Sequence, residues 1–142
     1  MERERPSVVF FDIGDTLGRV RLNPAGNGIA EIEVFPQVPV VLRKLRERGA
    51  RLGIISNRGT IPEANVNQAL ERAGLLAFFT PELIFYGPKD STAIFLRAVE
   101  RAGHKDDPEK CFFVGENDDE RQLAFEAGLR TAERPETALP LS

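Results

Sequence analysis

Five short strand-like runs alternate with stretches of helical periodicity along the chain, and this alternation restricts the fold more than any other feature. The runs are residues 8–11, 51–55, 83–86, 111–114 and 129–132. Between them, Val38, Val41, Leu42 and Leu45 recur at i, i+3, i+4, i+7 ahead of Gly49, and Val66, Ala69, Leu70 and Ala73 repeat the spacing ahead of Gly74. Ile94, Phe95, Ala98, Val99 and Ala102 mark a third helix ending at Gly103, and Leu123, Ala124 and Ala127 a fourth before Gly128. Apolar positions three and four apart share one helix face, and a following glycine readily takes the left-handed conformation that ends a helix. Thr60-Ile61-Pro62-Glu63 reads as a capping box opening the second helix. Strands that alternate with helices predict an α/β fold, a doubly wound parallel sheet with helices on both faces.

One segment breaks the alternation. Residues 19–22 and 29–34 have period-2 patterns around Asn23-Pro24-Ala25-Gly26-Asn27-Gly28, which predicts a small β-hairpin beside the first strand. With Pro135 and Pro140, residues 134–142 read as an irregular tail. A length of 142 residues, 42% apolar and 29% charged, fits one domain over residues 1–142 with a proper core. The formal net charge of −3 gives no basic footprint, so nucleic acid is unsupported as a partner. Cys111 is the only cysteine, which excludes an internal disulfide or a thiolate metal cluster; in Cys111-Phe112-Phe113-Val114 it reads as a buried structural thiol. His104, the only histidine, stands beside Gly103 and Lys105 and is expected to be a solvated loop residue. Its solitude rules out a multi-histidine metal site. No apolar run has the length of a membrane span, and Met1-Glu2-Arg3-Glu4-Arg5 lacks the apolar core of a signal peptide, so a cytoplasmic location is expected.

The chemistry lies where the strands end. Val8-Val9-Phe10-Phe11 delivers Asp12, then Ile13-Gly14-Asp15-Thr16 on a turn, and ligands of open α/β sheets sit outside the carboxyl ends of such strands. Ser56 and Asn57 follow the second parallel strand, Gly87-Pro88-Lys89 precedes the third helix, and Gly115-Glu116-Asn117-Asp118-Asp119-Glu120 follows another strand. Each has an ordinary explanation taken singly: loop polarity, a solvated lysine, acids favoured by a helix macrodipole. Together they place an acid nucleophile, a hydroxyl, a cation and a second acidic cluster at one sheet edge. Phosphoryl transfer to a carboxylate needs that set: an attacking oxygen, groups that hold the equatorial oxygens, and hard oxygen ligands for Mg²⁺.

In these residues the chain resembles the haloacid dehalogenase-like hydrolase superfamily, from about Val8 to Ala132. The family pattern Asp-x-Asp-x-Thr is matched by Asp12-Ile13-Gly14-Asp15-Thr16, the strand-ending Ser/Thr by Ser56, the lysine by Lys89, and the acidic pair by Glu116 through Glu120, with Ala127-Gly128 at the expected distance. The resemblance implies a Rossmann-like sheet with a hairpin flap and no cap domain. It also implies an aspartyl phosphate on Asp12, with Mg²⁺ held by Asp12, the carbonyl of Gly14 and Glu116. Ser56 and Lys89 would bind the phosphoryl oxygens, Thr16 would lie on the substrate side, and Asp15, Asp119 or Glu120 would act on the metal indirectly.

Two departures from the family pattern bear on activity. The second aspartate of the first motif, the acid that protonates the leaving oxygen, is Gly14 here. Asp15 is one position further on, and neighbouring side chains point in different directions, so it is not assigned that role. Loss of such a group costs about two to four orders of magnitude in rate. The second departure is Glu116 in place of aspartate. The leading expectation is a slow Mg²⁺-dependent phosphomonoester hydrolase, and the alternative is a catalytically inactive binding or regulatory module of the same fold. A receiver-type signalling domain would want its acceptor aspartate where Ile55-Ser56 stands. Without a cap, discrimination falls to the flap, to Asn57 and to Arg58, which is best placed for an additional anionic group. A bulky phosphorylated substrate or a homo-oligomer would supply the rest.

Overall fold

The computed structural model describes residues 7–141. Residues 1–6, which include the stretch expected to lack a signal peptide, and residue 142 at the end of the tail lie outside the described residues. In chain order the elements are β1 (Val8–Phe11), β2 (Gly18–Leu22), β3 (Ile29–Val34), α1 (Val38–Glu47), β4 (Arg51–Ser56), α2 (Glu63–Arg72), β5 (Ile84–Tyr86), α3 (Ala93–Arg101), β6 (Cys111–Val114), α4 (Asp118–Glu126) and β7 (Arg130–Ala132).

The central strand β1 is covered on every side. It pairs in parallel with β4, Val8 opposite Arg51 through Phe11 opposite Ile54, and with β6, Val8 opposite Cys111 through Phe11 opposite Val114. The sheet order is β5-β4-β1-β6-β7, so the chain winds outward on one side of β1 and then on the other. That reversal opens the crevice at the carboxyl end of β1 where such folds bind ligands. All four β1 side chains are fully buried, and their alternation divides the core. Val9 and Phe11 pack with Val38, Leu42, Leu45 and Leu70 of α1 and α2. Val8 and Phe10 pack with Phe95, Ala98 and Val99 of α3 and Ala124 of α4. Each buried phenylalanine contributes about 1.5–3 kcal/mol.

β2 and β3 form the antiparallel hairpin expected between the first strand and the first helix. The glycines expected to end the four helices, Gly49, Gly74, Gly103 and Gly128, all have positive φ. Cys111 is fully buried, and burial pushes its thiol up to about 12. Among the described residues no helix is long and apolar enough to cross a membrane.

Three expectations are corrected. α2 begins at Glu63 with an extended Pro62 as its N-cap and no side-chain cap, so Thr60 forms no capping box. Pro62 disfavours helical backbone at Ile61, which excludes the turn that would have held Thr60 in place. His104 is fully buried rather than solvated. The chain reverses at Gly103, the His104 N–H donates to the Val99 carbonyl at 3.0 Å, and the ring is drawn beneath α3 with Nδ1 3.0 Å from Asp107 Oδ1. The tail is not irregular either: Pro135–Leu141 is a 3-10 helix that packs on α1, with Ala138 fully buried and the Leu139 carbonyl accepting from Arg48.

Candidate active site

Asp12 stands one residue beyond β1, still in the sheet ladder: its N–H donates to the Val114 carbonyl at 3.0 Å. Three groups converge on its Oδ1. The Ile13 N–H donates at 2.8 Å, the Ser56 hydroxyl at 3.1 Å, and Lys89 Nζ lies at 2.9 Å. Oδ1 is thereby held by an amide, a hydroxyl and a cation, which leaves Oδ2 as the oxygen outside that grip.

Lys89 is not the solvated lysine that its position before a helix would suggest, since its side chain is 2% exposed. Nζ lies 2.9 Å from Asp12 Oδ1 and 2.9 Å from Glu120 Oε1, donates to the Ile55 carbonyl at 3.2 Å, and stands 5.4 Å from the Phe113 ring centre. Two carboxylates at ion-pair distance and one carbonyl acceptor surround the ammonium, which is what makes its burial tolerable. Ser56 is brought there by β4, whose last residue it is, paired with Tyr86 of β5. Glu120 is brought there by the start of α4, where Asn117 Oδ1 caps the helix by accepting from the Glu120 N–H at 2.9 Å. Gly115 makes the approach possible: a Cβ there would meet the Phe113 ring at 2.8 Å and stand 3.6 Å from Asp12 Cβ.

A cleft of about 320 Å³ gathers seven of the residues singled out in the sequence: Asp12, Gly14, Ser56, Asn57, Arg58, Lys89 and Glu120. Asn57 Oδ1 accepts from the Gly59 N–H at 2.9 Å; Arg58 Nη1 donates to the Ile61 carbonyl at 2.8 Å, with Nε 3.8 Å from Glu63. The remaining four are not on its walls. Thr16 is buried behind the β1 exit, where its Oγ1 has no hydrogen-bond partner among the described residues. Asp15 is exposed and has φ 62°, in the left-handed region. Glu116 and Asp119 are exposed.

Sequence reasoning missed the Ile13 N–H, which no side-chain pattern announces, and the cap at Asn117, which an Asn ahead of an acidic turn does signal. It also missed the apolar part of the cleft: Val20, Leu22, Ile29, Ile61, Val66 and Tyr86. The Tyr86 hydroxyl donates to Asn67 Oδ1 at 2.6 Å, and burial raises its pKa above the ordinary tyrosine value.

Among the described residues no three His, Cys, Asp or Glu side chains group as a metal site. A site made of Asp12, Glu116 and the Gly14 carbonyl needs only two carboxylates. Asp12 and Glu116 leave adjacent strands, β1 and β6, and a donor set of oxygens alone suits a hard cation that keeps several waters. The residues fit Mg²⁺ in chemistry.

The fold and the cleft at its central strand define a doubly wound α/β protein with its candidate site at the carboxyl end of β1. Residues 12–128 match the haloacid dehalogenase-like hydrolases, and the chain belongs to that family. It is 26% identical over 106 residues to the phosphoglycolate phosphatase of Aquifex aeolicus (strain VF5), a match that covers 75% of this chain and 49% of that protein. The chain thus spans about half the length of that curated relative. Among solved structures, an uncharacterized protein from Listeria monocytogenes serotype 4b aligns with a TM-score of 0.75 at 21% identity, covering 88% of this chain and 76% of that one. The D,D-heptose 1.7-bisphosphate phosphatase from B. bronchiseptica, solved with magnesium and phosphate, aligns with a TM-score of 0.64 at 16% identity, covering 88% and 78%. Both structures share the fold of this chain.

Proposed function

We propose that the protein is a Mg²⁺-dependent phosphomonoester hydrolase that works through an aspartyl phosphate on Asp12. The observation that carries this reading is the convergence of the Ile13 N–H, Ser56 and Lys89 on Asp12 Oδ1. A carboxylate gripped at one oxygen at the mouth of a cleft is oriented for attack by the other. Oδ2 forms a bond to phosphorus as the bond to the leaving oxygen breaks. That oxygen takes its proton from solvent water, because Gly14 offers no acid. Water then attacks phosphorus, the acyl phosphate bond breaks, and inorganic phosphate leaves with the Asp12 carboxylate restored. Ser56 and Lys89 hold the phosphoryl oxygens and Asn57 and Arg58 shape the substrate side, while Thr16, expected there too, is buried behind the β1 exit and does not reach it.

Asp12, the Gly14 carbonyl and Glu116 would hold Mg²⁺, with Asp119 and Glu120 acting on it indirectly. When bound it offsets the negative charge of the phosphoryl group. Support comes from the oxygen-only donor set and from the heptose bisphosphate phosphatase, which carries magnesium and phosphate on the same fold. The described residues read as one domain with the β2–β3 hairpin as the flap and no cap among them, which leaves further enclosure to a bulky substrate or a second subunit.

Gly14 favours a second reading, a binding module that does not turn over, since it carries no acid for the leaving group and Asp15 is not on the walls of the cleft. A Mg²⁺-dependent assay with p-nitrophenyl phosphate separates the two. The hydrolase reading expects slow turnover that Asp12→Asn abolishes with circular dichroism unchanged. Phosphate binding without any turnover favours the module.

A further inference from the structure

Past its phosphoryl end the cleft turns apolar. Val20 and Leu22 are alternate residues of β2 and present the same face of the flap. Ile29 of β3 stands with them, and Ile61 and Val66 line the cleft from the segment around the start of α2. This wall begins next to the nucleophile's turn: a Cβ on Gly14 would lie 3.9 Å from Val20 Cγ2. The leaving group of a phosphomonoester held at Asp12 therefore meets the flap. At the outer end Leu22 is 47% exposed, a large apolar side chain that a ligand can cover.

The polar groups along this stretch are engaged in part by the protein itself. The Arg58 guanidinium is bound to the Ile61 carbonyl and faces Glu63, Asn57 Oδ1 accepts from Gly59, and the Tyr86 hydroxyl is used by Asn67. Against the Val20, Leu22, Ile29, Ile61 and Val66 wall a sugar hydroxyl finds no partner, whereas an apolar group gains by removing its own surface and that of Leu22 and Val20 from solvent. We propose that the substrate is a phosphomonoester with an apolar leaving group, aromatic or branched alkyl, and that Val20, Leu22 and Ile61 are the residues that select it over sugar phosphates. The proposal rests on the hydrolase reading for the position of the phosphoryl group.

Two measurements on the full chain test it separately from that reading. In the first, phenethyl phosphate is compared with glycerol 3-phosphate and a hexose 6-phosphate, all esters of poorly acidic alcohols, so leaving-group chemistry is held nearly constant. The expected kcat/KM is about tenfold or more higher for phenethyl phosphate, and Leu22→Gln and Ile61→Gln each reduce the preference severalfold. In the second, calorimetry in the presence of Mg²⁺ compares phenethylphosphonate with methylphosphonate, neither of which can be hydrolysed. The aromatic compound is expected to bind about tenfold tighter, with the excess reduced in both variants and methylphosphonate binding unchanged. Equal binding of the two phosphonates, no binding of either, or a preference for glycerol 3-phosphate or the hexose 6-phosphate would overturn the proposal. Absence of turnover with the binding difference intact would overturn the hydrolase reading alone.

Discussion

Lys89 Nζ lies 2.9 Å from Asp12 Oδ1, on a side chain only 2% exposed, and the same ammonium lies 2.9 Å from Glu120 Oε1. One cation thus ties the exit of β1 to the first turn of α4. Lys89→Met removes the charge between two carboxylates, so both stability and turnover are expected to fall. Breaking a buried pair costs about 3 kcal/mol. Urea unfolding should show that loss, and activity should fall below detection even under conditions where the variant is folded. A variant as stable as the parent would show that the two carboxylates do not depend on the lysine.

Gly14 has no positive φ, and a Cβ there meets only the Val20 methyl at 3.9 Å, ordinary contact. Gly14→Asp is therefore expected to fold and to raise kcat by about two orders of magnitude or more by supplying the missing proton donor. Asp15→Gly serves as the control. It replaces an exposed side chain at φ 62°, so stability should stay within about 1 kcal/mol of the parent and kcat should not change. If Asp15→Gly slows turnover and Gly14→Asp does not speed it, Asp15 is the donor after all.

Much of the fold is legible in the sequence because its signals are local and repeated. The run Val8-Val9-Phe10-Phe11 reads as a strand buried on both faces because no residue in it suits solvent, and the helices read from apolar spacing closed with glycine. The site is legible at Asp12, Ser56 and Lys89, since strand exits in a parallel sheet meet at one edge. What stays hidden depends on tertiary contact. His104 carries no mark in its neighbours that the turn at Gly103 draws it under α3, and Lys89 none that Glu120, 31 positions later, would share its charge. Glu116 and Glu120 look equivalent as acids, but the geometry of α4 turns Glu120 to the cleft and leaves Glu116 exposed. The helical tail escapes a sequence reading because its packing surface, α1, is remote along the chain.

Glu116 tests the metal. With Asp12 and Glu116 as its carboxylate ligands, Mg²⁺ removal by chelation should abolish turnover and restored Mg²⁺ should recover it. Glu116→Gln keeps the shape and halves the carboxylate charge available, so half-maximal activation should need about tenfold more Mg²⁺. An unchanged activation curve would move the ligand role to another acid, with Glu120 first in line.

Cys111 gives a pH signature independent of catalysis. Burial raises its pKa from 9.0 to about 12, so the folded state keeps a proton that the unfolded chain releases. Its contribution is complete below about pH 9 and is lost as pH rises toward 12. Cys111→Ala should flatten the fall in melting temperature over that window while lowering stability at neutral pH through the cavity it leaves. The native thiol should react with a disulfide reagent only as fast as the protein opens. Rapid labelling at pH 8 would contradict this assignment.

The aspartyl phosphate can be trapped directly. Sodium borohydride reduces an acyl phosphate to an alcohol, so a reaction with p-nitrophenyl phosphate and Mg²⁺, quenched during turnover and reduced, converts a phosphorylated aspartate to homoserine. Peptide mass spectrometry then reads the position. The account predicts homoserine at residue 12 alone, dependent on substrate and Mg²⁺. Turnover that leaves Asp12 unmodified, or homoserine at any other aspartate, would contradict it.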